Sequence, residues 1–236
     1  MQPAPNHYSR QWFELFHHTI PASRTAKEVA FICDCLPLPD FRKIADVCCG
    51  AGRHSEAVAG LGYRVTGIDR DAAAIAKARD LGGTASYMQA DIRINALQAA
   101  TFDAAIVMAQ SFGHFDSETN RDVLARLAST VRPGGRVILD LWNPDFFLAH
   151  QDVRNLQTRA GVVRETKHVG GQRLYVGLEY PDGAKEQFEW ELFTESTMNA
   201  FAQSVGLLAR ACCTAFNLAM SPAVTNPRIQ FLLERA

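Results

Sequence analysis

Three carboxylates and a glycine-rich turn are the residues of this chain best suited to hold a ligand. Asp46 lies in an apolar segment that runs into Gly50 and Gly52. Asp69 ends the next apolar segment, and Asp91 follows a third. A glycine-rich turn between a strand and a helix lets the backbone approach a ligand closely, and a carboxylate at the next strand end suits a ribose diol. The combination predicts a nucleotide-type ligand.

The residues around the turn also distinguish between two kinds of nucleotide. A dinucleotide fingerprint has a third glycine where this chain has Ser55. Asp46, just before the turn, would repel a pyrophosphate but suits an ammonium group. S-adenosylmethionine carries an ammonium and a sulfonium but no phosphate, so it fits these residues better than NAD.

The elements that would position these residues alternate between strand and helix. Apolar segments predict five parallel strands, over 43–48, 63–69, 85–89, 102–108 and 136–141. Helical segments between them, such as the one that Asp71 caps, indicate a doubly wound, Rossmann-like α/β sheet. Two more strands, at 208–216 and 229–233, are expected to pair with its edge and bring it to seven strands.

The pattern changes after the fifth strand. Three further strands are predicted over 162–169, 173–180 and 186–193. The residues Gly170-Gly171 and Pro181-Asp182-Gly183 separate them and are hairpin signals. The sequence therefore predicts an antiparallel β insertion after the fifth parallel strand, which could cover a substrate as a lid.

Composition restricts the partners of the chain. The 236 residues carry a formal net charge of -1 and no run of five or six like charges, so no nucleic-acid-binding face is predicted. No apolar run is long enough to span a bilayer, and the first residues lack the basic and apolar regions of a signal peptide. The six cysteines have no Cys-x-x-Cys spacing, and no metal site is predicted. We therefore expect a cytoplasmic protein with reduced thiols.

The segment Asp46-Val47-Cys48-Cys49-Gly50-Ala51-Gly52, followed by Asp69 and Asp91, resembles the class I S-adenosylmethionine-dependent methyltransferases. The resemblance covers at least residues 8–147. It implies that the turn lies under the methionine part of S-adenosylmethionine, that Asp69 binds the ribose, and that Asp91 and Ile92 frame the adenine. Cys48 stands at the position of the family's first glycine.

Two other segments resemble the glycine N-methyltransferase group and related small-molecule and amino-sugar N-methyltransferases. They are Trp12 with Ser23-Arg24-Thr25-Ala26, and Gln110-Ser111-Phe112-Gly113-His114-Phe115. The resemblance implies that Arg24 grips the cofactor carboxylate and that Trp12 covers the cofactor. The cofactor-binding residues expected in this way are Trp12, Arg24, Asp46, Cys48, Gly50, Gly52, Asp69, Arg70, Asp91, Ile92, Ala109 and Gln110.

The expected substrate end differs from the glycine N-methyltransferases. That group holds the substrate carboxylate with an arginine after the fifth strand, where this chain has Trp142. A neutral indole cannot pair with a carboxylate, so an aromatic, cationic or sugar-like acceptor fits better than glycine. His114 is the candidate general base, with hydrogen bonding to the cofactor or a loop as its other reading. The expected substrate-binding residues are Tyr8, His114, Trp142, Asn143 and Tyr175.

The sequence thus predicts an S-adenosylmethionine-dependent enzyme that methylates the nitrogen of a small amine or amino sugar. An O-methyltransferase of a small hydroxyl or phenol is the alternative within the family. An NAD(P)-dependent oxidoreductase and a non-catalytic nucleotide-binding module are the alternatives outside it. The expected units are an N-terminal helical cover at 1–43, a core at 44–147 plus 194–236, and the lid at 148–193. Exposed hairpin edges could pair two subunits into a homodimer.

Overall fold

The computed structural model describes residues 6, 8–9, 11–12, 20–94, 97–159 and 161–236. Fourteen residues of the expected N-terminal cover at 1–43 therefore lie outside the described residues. Among those described, no helix is long and apolar enough to cross a membrane.

A seven-stranded sheet forms the core, as the sequence predicts. The seven strands are β1 (Lys43–Val47), β2 (Arg64–Asp69), β3 (Ser86–Gln89), β4 (Phe102–Val107), β5 (Val131–Trp142), β10 (Leu207–Thr214) and β11 (Arg228–Arg235). They lie in the order β10-β11-β5-β4-β1-β2-β3. Strands β1 to β5 run parallel, whereas β11 pairs antiparallel with both β5 and β10.

Six described helices accompany the strands, and side-chain caps fix where several of them begin. Asp71 accepts hydrogen bonds from the backbone N–H groups of Ala73 and Ala74 at the start of α3. Thr194 forms a capping box with Thr197 at the start of α6. The helices are α1 (Ala22–Cys35), α2 (Arg53–Ala59), α3 (Ala72–Asp80), α4 (Ser117–Thr130), α5 (Pro144–Ala149) and α6 (Glu195–Gln203).

The sheet is buried on both faces because successive side chains of a strand point to opposite sides. In β4, Ala105 and Val107 pack into one cluster with residues of α4, while Ala104 and Ile106 pack into a second cluster with residues of α1. Two apolar layers with the sheet between them are what a doubly wound fold requires. They hold the carboxyl ends of β1, β2 and β4 at one edge.

A second, antiparallel sheet follows β5 and α5. It contains four strands where the sequence predicts three: β6 (Val153–Thr158), β7 (Gly161–Gly170), β8 (Arg173–Glu179) and β9 (Lys185–Glu191). The additional strand, β6, is a mostly exposed edge strand without the apolar alternation that marks a half-buried strand. The second sheet buries one face, where Leu174, Val176 and Phe188 pack into a third apolar cluster.

Candidate functional site

One cavity of about 520 Å³ lies between the carboxyl edge of the main sheet and the buried face of the second sheet. Its size is in the range of pockets that enclose small ligands. It brings together thirteen of the residues that the sequence predicts to be functional: Tyr8, Trp12, Arg24, Cys48, Gly50, Asp69, Arg70, Asp91, Ile92, Ala109, Gln110, His114 and Trp142.

The glycine-rich turn forms part of the cavity wall. Cys48, Gly50 and Gly52 all have positive φ, at 60°, 54° and 80°. A Cβ at Gly50 would meet no atom within 4 Å, so this glycine leaves open space beside the backbone. A Cβ at Gly52 would collide with the phenol ring of Tyr87, so Gly52 serves packing behind the turn. Cys48 alone of the three adopts this conformation against the preference of its side chain.

Asp69 ends β2 beside the turn, and its carboxylate is fixed by backbone donors. Its Oδ2 accepts a 2.8 Å hydrogen bond from the Gly50 N–H, and its Oδ1 accepts a 2.9 Å hydrogen bond from the Asp71 N–H. Each carboxylate oxygen can accept a further hydrogen bond. The geometry therefore suits a neighbouring pair of hydroxyl groups, as in a ribose.

Asp91 and Ile92 lie on the same wall, after β3. The Arg93 side chain donates to both carboxylate oxygens of Asp91, with a shortest N–O distance of 2.5 Å, and this hydrogen bonding lowers the Asp91 pKa. Ile92 is 6% exposed and belongs to the apolar cluster on the α4 side. An ionised acceptor beside an apolar side chain can bind a flat polar ring such as a purine.

Asp46 is brought near the turn but does not line the cavity. It is buried in β1 and accepts a 2.6 Å hydrogen bond from the Ser55 hydroxyl of α2. Burial raises the Asp46 pKa, which the charge of His54 and the Ser55 hydrogen bond partly offset. The place of a third glycine is thus taken by a hydroxyl that holds Asp46 behind the turn.

The turn after β4 is held from below by a carboxylate. Ala109 and Gln110 both have positive φ, at 55° and 58°. The Ala109 N–H and the Gln110 side chain donate to Oδ2 of Asp140 at 2.9 and 3.0 Å. Asp140 lies in β5 and is fully buried, so its bonds fix a strained turn on the cavity wall.

Arg228 is a cavity residue that the sequence reasoning missed. It starts β11, and its guanidinium pairs with Asp140 and, at 2.8 Å, with Glu28 of α1. Glu28 also accepts bonds from Arg53 at 2.6 Å and pairs with His54 at 2.8 Å. Glu28 and Arg228 are two hundred positions apart in the sequence, so only the folded structure reveals this network.

His114 lies on the cavity wall among aromatic rings. Its ring centroid is 5.1 Å from that of Trp190 and 6.1 Å from that of Tyr8. Burial, together with the charges of Arg70 and Arg173, lowers the His114 pKa to about 4. The ring is therefore neutral at pH 7, and its buried Nδ1 has no hydrogen-bond partner in the described part of the chain.

The second sheet supplies the remaining wall and is attached to the core along β9. The Trp190 indole N–H donates to the Gln110 carbonyl at 3.0 Å, and the Glu191 N–H donates to the Gly113 carbonyl at 2.7 Å. The Glu191 carboxylate also accepts a 2.6 Å bond from the Asn120 side chain. A Cβ at Gly113 would stand 2.9 Å from the Glu191 carbonyl oxygen, so this approach requires glycine.

Two expected substrate-binding residues do not line the cavity. Asn143 is buried, and its amide donates to the carbonyls of Ala223 and Asn226, at 2.9 and 2.8 Å. Tyr175 lies on the outer face of β8 and stacks on His168, with centroids 4.8 Å apart. Asn143 thus anchors the loop before β11, and strand alternation directs Tyr175 away from the cavity.

In the described ranges, no group of three or more His, Cys, Asp or Glu side chains is arranged to hold a metal ion. Cys48 lines the cavity, and desolvation by the surrounding cavity wall together with the charges of Asp69 and Asp46 raises its thiol pKa to about 12. The Cys48 thiol is therefore protonated and a poor nucleophile at pH 7.

Residues 44–135 match the family model described as a methyltransferase domain. A glycine/sarcosine N-methyltransferase from Halorhodospira halochloris is 33% identical over 54% of this chain and 50% of its own length. A ubiquinone biosynthesis O-methyltransferase from Xanthomonas axonopodis is 33% identical over 44% of this chain and 45% of its own length. The chain thus spans about half the length of these curated relatives.

The whole fold has a counterpart among solved structures. An amino pentose methyltransferase of calicheamicin biosynthesis from Micromonospora echinaspora, solved with bound S-adenosylmethionine, superposes with a TM-score of 0.72. It is 18% identical, and the match covers 99% of this chain and 100% of that one. The domain match at 44–135, the strand order and the curated relatives agree: the chain contains a methyltransferase domain, built on the Rossmann-like fold seen in S-adenosylmethionine-dependent methyltransferases.

Proposed function

We propose that this protein transfers a methyl group from S-adenosylmethionine to the nitrogen of a small amine, such as an amino sugar. The observation that carries the proposal is that one cavity joins the carboxyl edge of the main sheet to an aromatic wall formed with the second sheet. The first region suits a nucleoside with an amino-acid tail, and the second suits a compact organic acceptor.

The residues of the first region fit the cofactor group by group. Asp69 offers the two acceptors that a ribose diol needs, and Asp91 with Ile92 suits the adenine. Arg24 and Arg228 line the same cavity, and a guanidinium matches the planar cofactor carboxylate. When bound, S-adenosylmethionine supplies a methyl group that its sulfonium makes electrophilic.

The second region would orient the acceptor and exclude water from it. Aromatic side chains of the N-terminal segment and of the second sheet contact one another: Tyr8 lies 4.8 Å from both Trp12 and Phe188 between ring centroids. Trp142 and Trp190 lie 5.8 Å apart in an edge-to-face arrangement. Holding nucleophile and electrophile in line in such an enclosure lowers the barrier without any covalent step by the protein.

The titration behaviour of the cavity favours nitrogen over oxygen as the methylated atom. His114, with a pKa of about 4, is a weak base at pH 7, and burial raises the pKa of Tyr8 above its ordinary value. A hydroxyl acceptor must give its proton to a base whose pKa lies near neutral pH before it attacks well. A neutral amine attacks with its own lone pair and does not need such a base. His114 would then accept a hydrogen bond through Nδ1 instead of removing a proton.

The relatives include both N- and O-methyltransferases, so O-methylation of a small hydroxyl or phenol is the second candidate. Neither the NAD(P)-dependent oxidoreductase nor the non-catalytic module receives support from the family match. We also propose that the segment 148–193 acts as the substrate lid. Four of its strands form the second sheet, whose buried face lines the cavity.

Calorimetric titration with S-adenosylmethionine and with NADH tests the cofactor part of the proposal. We expect binding of S-adenosylmethionine alone, and weaker binding by Asp69→Ala, because the variant lacks the ribose acceptors. Asp122→Asn, an exposed change on α4, is the matched control. Turnover of amines and amino sugars, but not of phenols, would support N-methylation. Binding of NADH instead, or turnover of phenols alone, would refute it.

A further inference from the structure

The buried carboxylate of Asp140 lies within the main sheet and is not part of the cavity lining. Its strand, β5, stands between β4 and β11. Gln230 lies opposite Asp140 in the pairing of β5 with β11, and Arg228 lies two positions before Gln230 on the same face of β11. On the other side, the turn of Ala109 and Gln110 follows β4. Asp140 is therefore placed to bind groups from both neighbouring strands.

The carboxylate of Asp140 accepts hydrogen bonds from both of these sides. From β11, the Arg228 Nε donates to Oδ1 at 3.0 Å, the Arg228 Nη2 donates to Oδ2, and the Gln230 amide donates to Oδ1 at 2.8 Å. From the β4 side, the Ala109 N–H and the Gln110 amide both donate to Oδ2. Burying a carboxylate costs free energy that an ion pair largely only offsets, so stability alone gives little reason for this group. Three of the four donor residues, Arg228, Ala109 and Gln110, line the cavity, so Asp140 fixes the cavity wall from behind.

The Arg228 guanidinium is held in place on several sides. Besides the bonds with Asp140, it pairs with Glu28 of α1 at 2.8 Å, and its Cζ lies 4.6 Å from the centre of the Phe216 ring. The two carboxylates take three of its five N–H donors, and the other two have no partner in the described part of the chain. Burial lowers the Arg228 pKa to about 10, so the group stays charged at pH 7. A fixed, charged guanidinium on the cavity wall suits a carboxylate.

We infer that Asp140 is a positioning residue for the proposed methyl transfer: it orients Arg228 and the turn of Ala109 and Gln110, which together hold the amino-acid end of S-adenosylmethionine. The inference rests on the proposed function. Asp140 contacts neither cofactor nor acceptor and acts only through these groups. The same turn offers the Gln110 carbonyl to the Trp190 indole at 3.0 Å, so Asp140 also fixes the acceptor wall relative to the cofactor end.

The test compares binding of S-adenosylhomocysteine with binding of 5′-methylthioadenosine, which keeps the adenosine but lacks the amino-acid end. Calorimetry on the full chain gives the ratio of the two dissociation constants. We expect wild type to prefer S-adenosylhomocysteine by about a hundredfold, the equivalent of two charge-assisted contacts, and Asp140→Asn to lower this preference at least about tenfold. Removing the negative charge beside Arg228 would by itself strengthen the binding of a carboxylate, so a fall in the preference indicates lost positioning.

Arg228→Lys tests the same link if Asp140→Asn does not fold. Lysine keeps the charge but lacks the planar fork that Asp140 orients, so the preference should again fall at least about tenfold. Asp103→Asn is the matched control. Asp103 accepts bonds from the Lys43 N–H and the Arg132 side chain at 2.7 and 2.9 Å, but it lies near the amino end of β4, at the opposite edge of the sheet from the cavity. This variant should lose stability and keep the wild-type preference.

A fall smaller than about tenfold in Asp140→Asn overturns the inference, and Arg228→Lys decides if the first variant does not fold. Equal binding of the two ligands by wild type, or an equally large fall in Asp103→Asn, also overturns it. If neither ligand binds to wild type, the proposed function itself is refuted, and this result is seen before any variant is made.

Discussion

Glu28 is the most informative single perturbation, because it joins the N-terminal helix α1 to the cavity residue Arg228. Its side chain is completely buried and has three cationic or imidazole partners. Replacing it with glutamine keeps the size and one acceptor oxygen but removes the charge. Arg228 retains Asp140 as a partner, so the change weakens the network without dismantling it.

The magnitude follows from the Glu28 pKa. Burial raises this pKa, but the hydrogen bond with His54 and the charges of Arg228 and Arg53 outweigh it and lower the value from 4.5 to about 2. At about 1.4 kcal/mol per pKa unit, the ionised carboxylate contributes about 3 kcal/mol to folding at pH 7. A carboxyl group whose pKa is lower in the folded state stabilises the fold at pH values above its unfolded pKa. This stabilisation is lost as the pH falls toward the folded pKa. At pH 3 about 1.5 kcal/mol of it remains.

Urea unfolding of wild type and Glu28→Gln at pH 7, 5, 4 and 3 measures this contribution. We expect Glu28→Gln to be less stable by about 3 kcal/mol at pH 7, with the difference falling by about half at pH 3. Glu179→Gln, which alters an exposed pair with Lys185, should stay within about 0.5 kcal/mol of wild type at every pH. A difference for Glu28→Gln that is constant from pH 7 to pH 3 would refute the reasoning.

Three further predictions concern the cavity wall. Cys48→Gly should raise the free energy of unfolding by about 0.5–1 kcal/mol in urea, because relief at a φ of 60° exceeds the entropy cost of glycine. The pH profile of kcat/KM should lack an inflection from His114 between pH 6 and 8, because its pKa of about 4 keeps it neutral there. Trp190→Phe should lower the unfolding free energy by about 1 kcal/mol, because the partly buried Gln110 carbonyl loses its 3.0 Å donor.

Each of these has a result that contradicts it. Loss of stability in Cys48→Gly would mean that the thiol packing outweighs the backbone strain. An inflection near pH 6.5 that disappears in His114→Asn would show an unperturbed imidazole. Unchanged unfolding of Trp190→Phe would show that the indole hydrogen bond makes no net contribution.

The sequence predicted the main sheet because its central strands are apolar and because a helix such as α3 begins at a recognisable cap, Asp71. It did not reveal β6, whose exposed, polar residues form an edge strand through pairing with β7 alone. Short-range sequence patterns indicate burial and turn residues. An exposed edge strand instead forms through its pairing with the neighbouring strand, which its own sequence does not show.

The cofactor side of the site was more predictable than the acceptor side. Asp69 and Asp91 stand at strand ends, which the chain order alone places at one edge of the sheet. Arg228 and Lys167 come from strands whose register brings them to the cavity, and no motif marks either one. Tyr175 could have been excluded by alternation, because its neighbours Leu174 and Val176 occupy the buried face.

The attachment of β9 to the core through Trp190 and Glu191 has a consequence for ligand exchange. Separating the second sheet from the core at this edge would break the Trp190 and Glu191 hydrogen bonds together, so β9 holds the two sheets in place. The opposite edge, β6, is held within the sheet by β7 alone. The part of the cavity wall that Trp190 supplies is therefore in place before any ligand arrives, and little ordering entropy is spent on it during binding. Under the proposed function, this wall would select acceptors by excluding those too large to fit beside it.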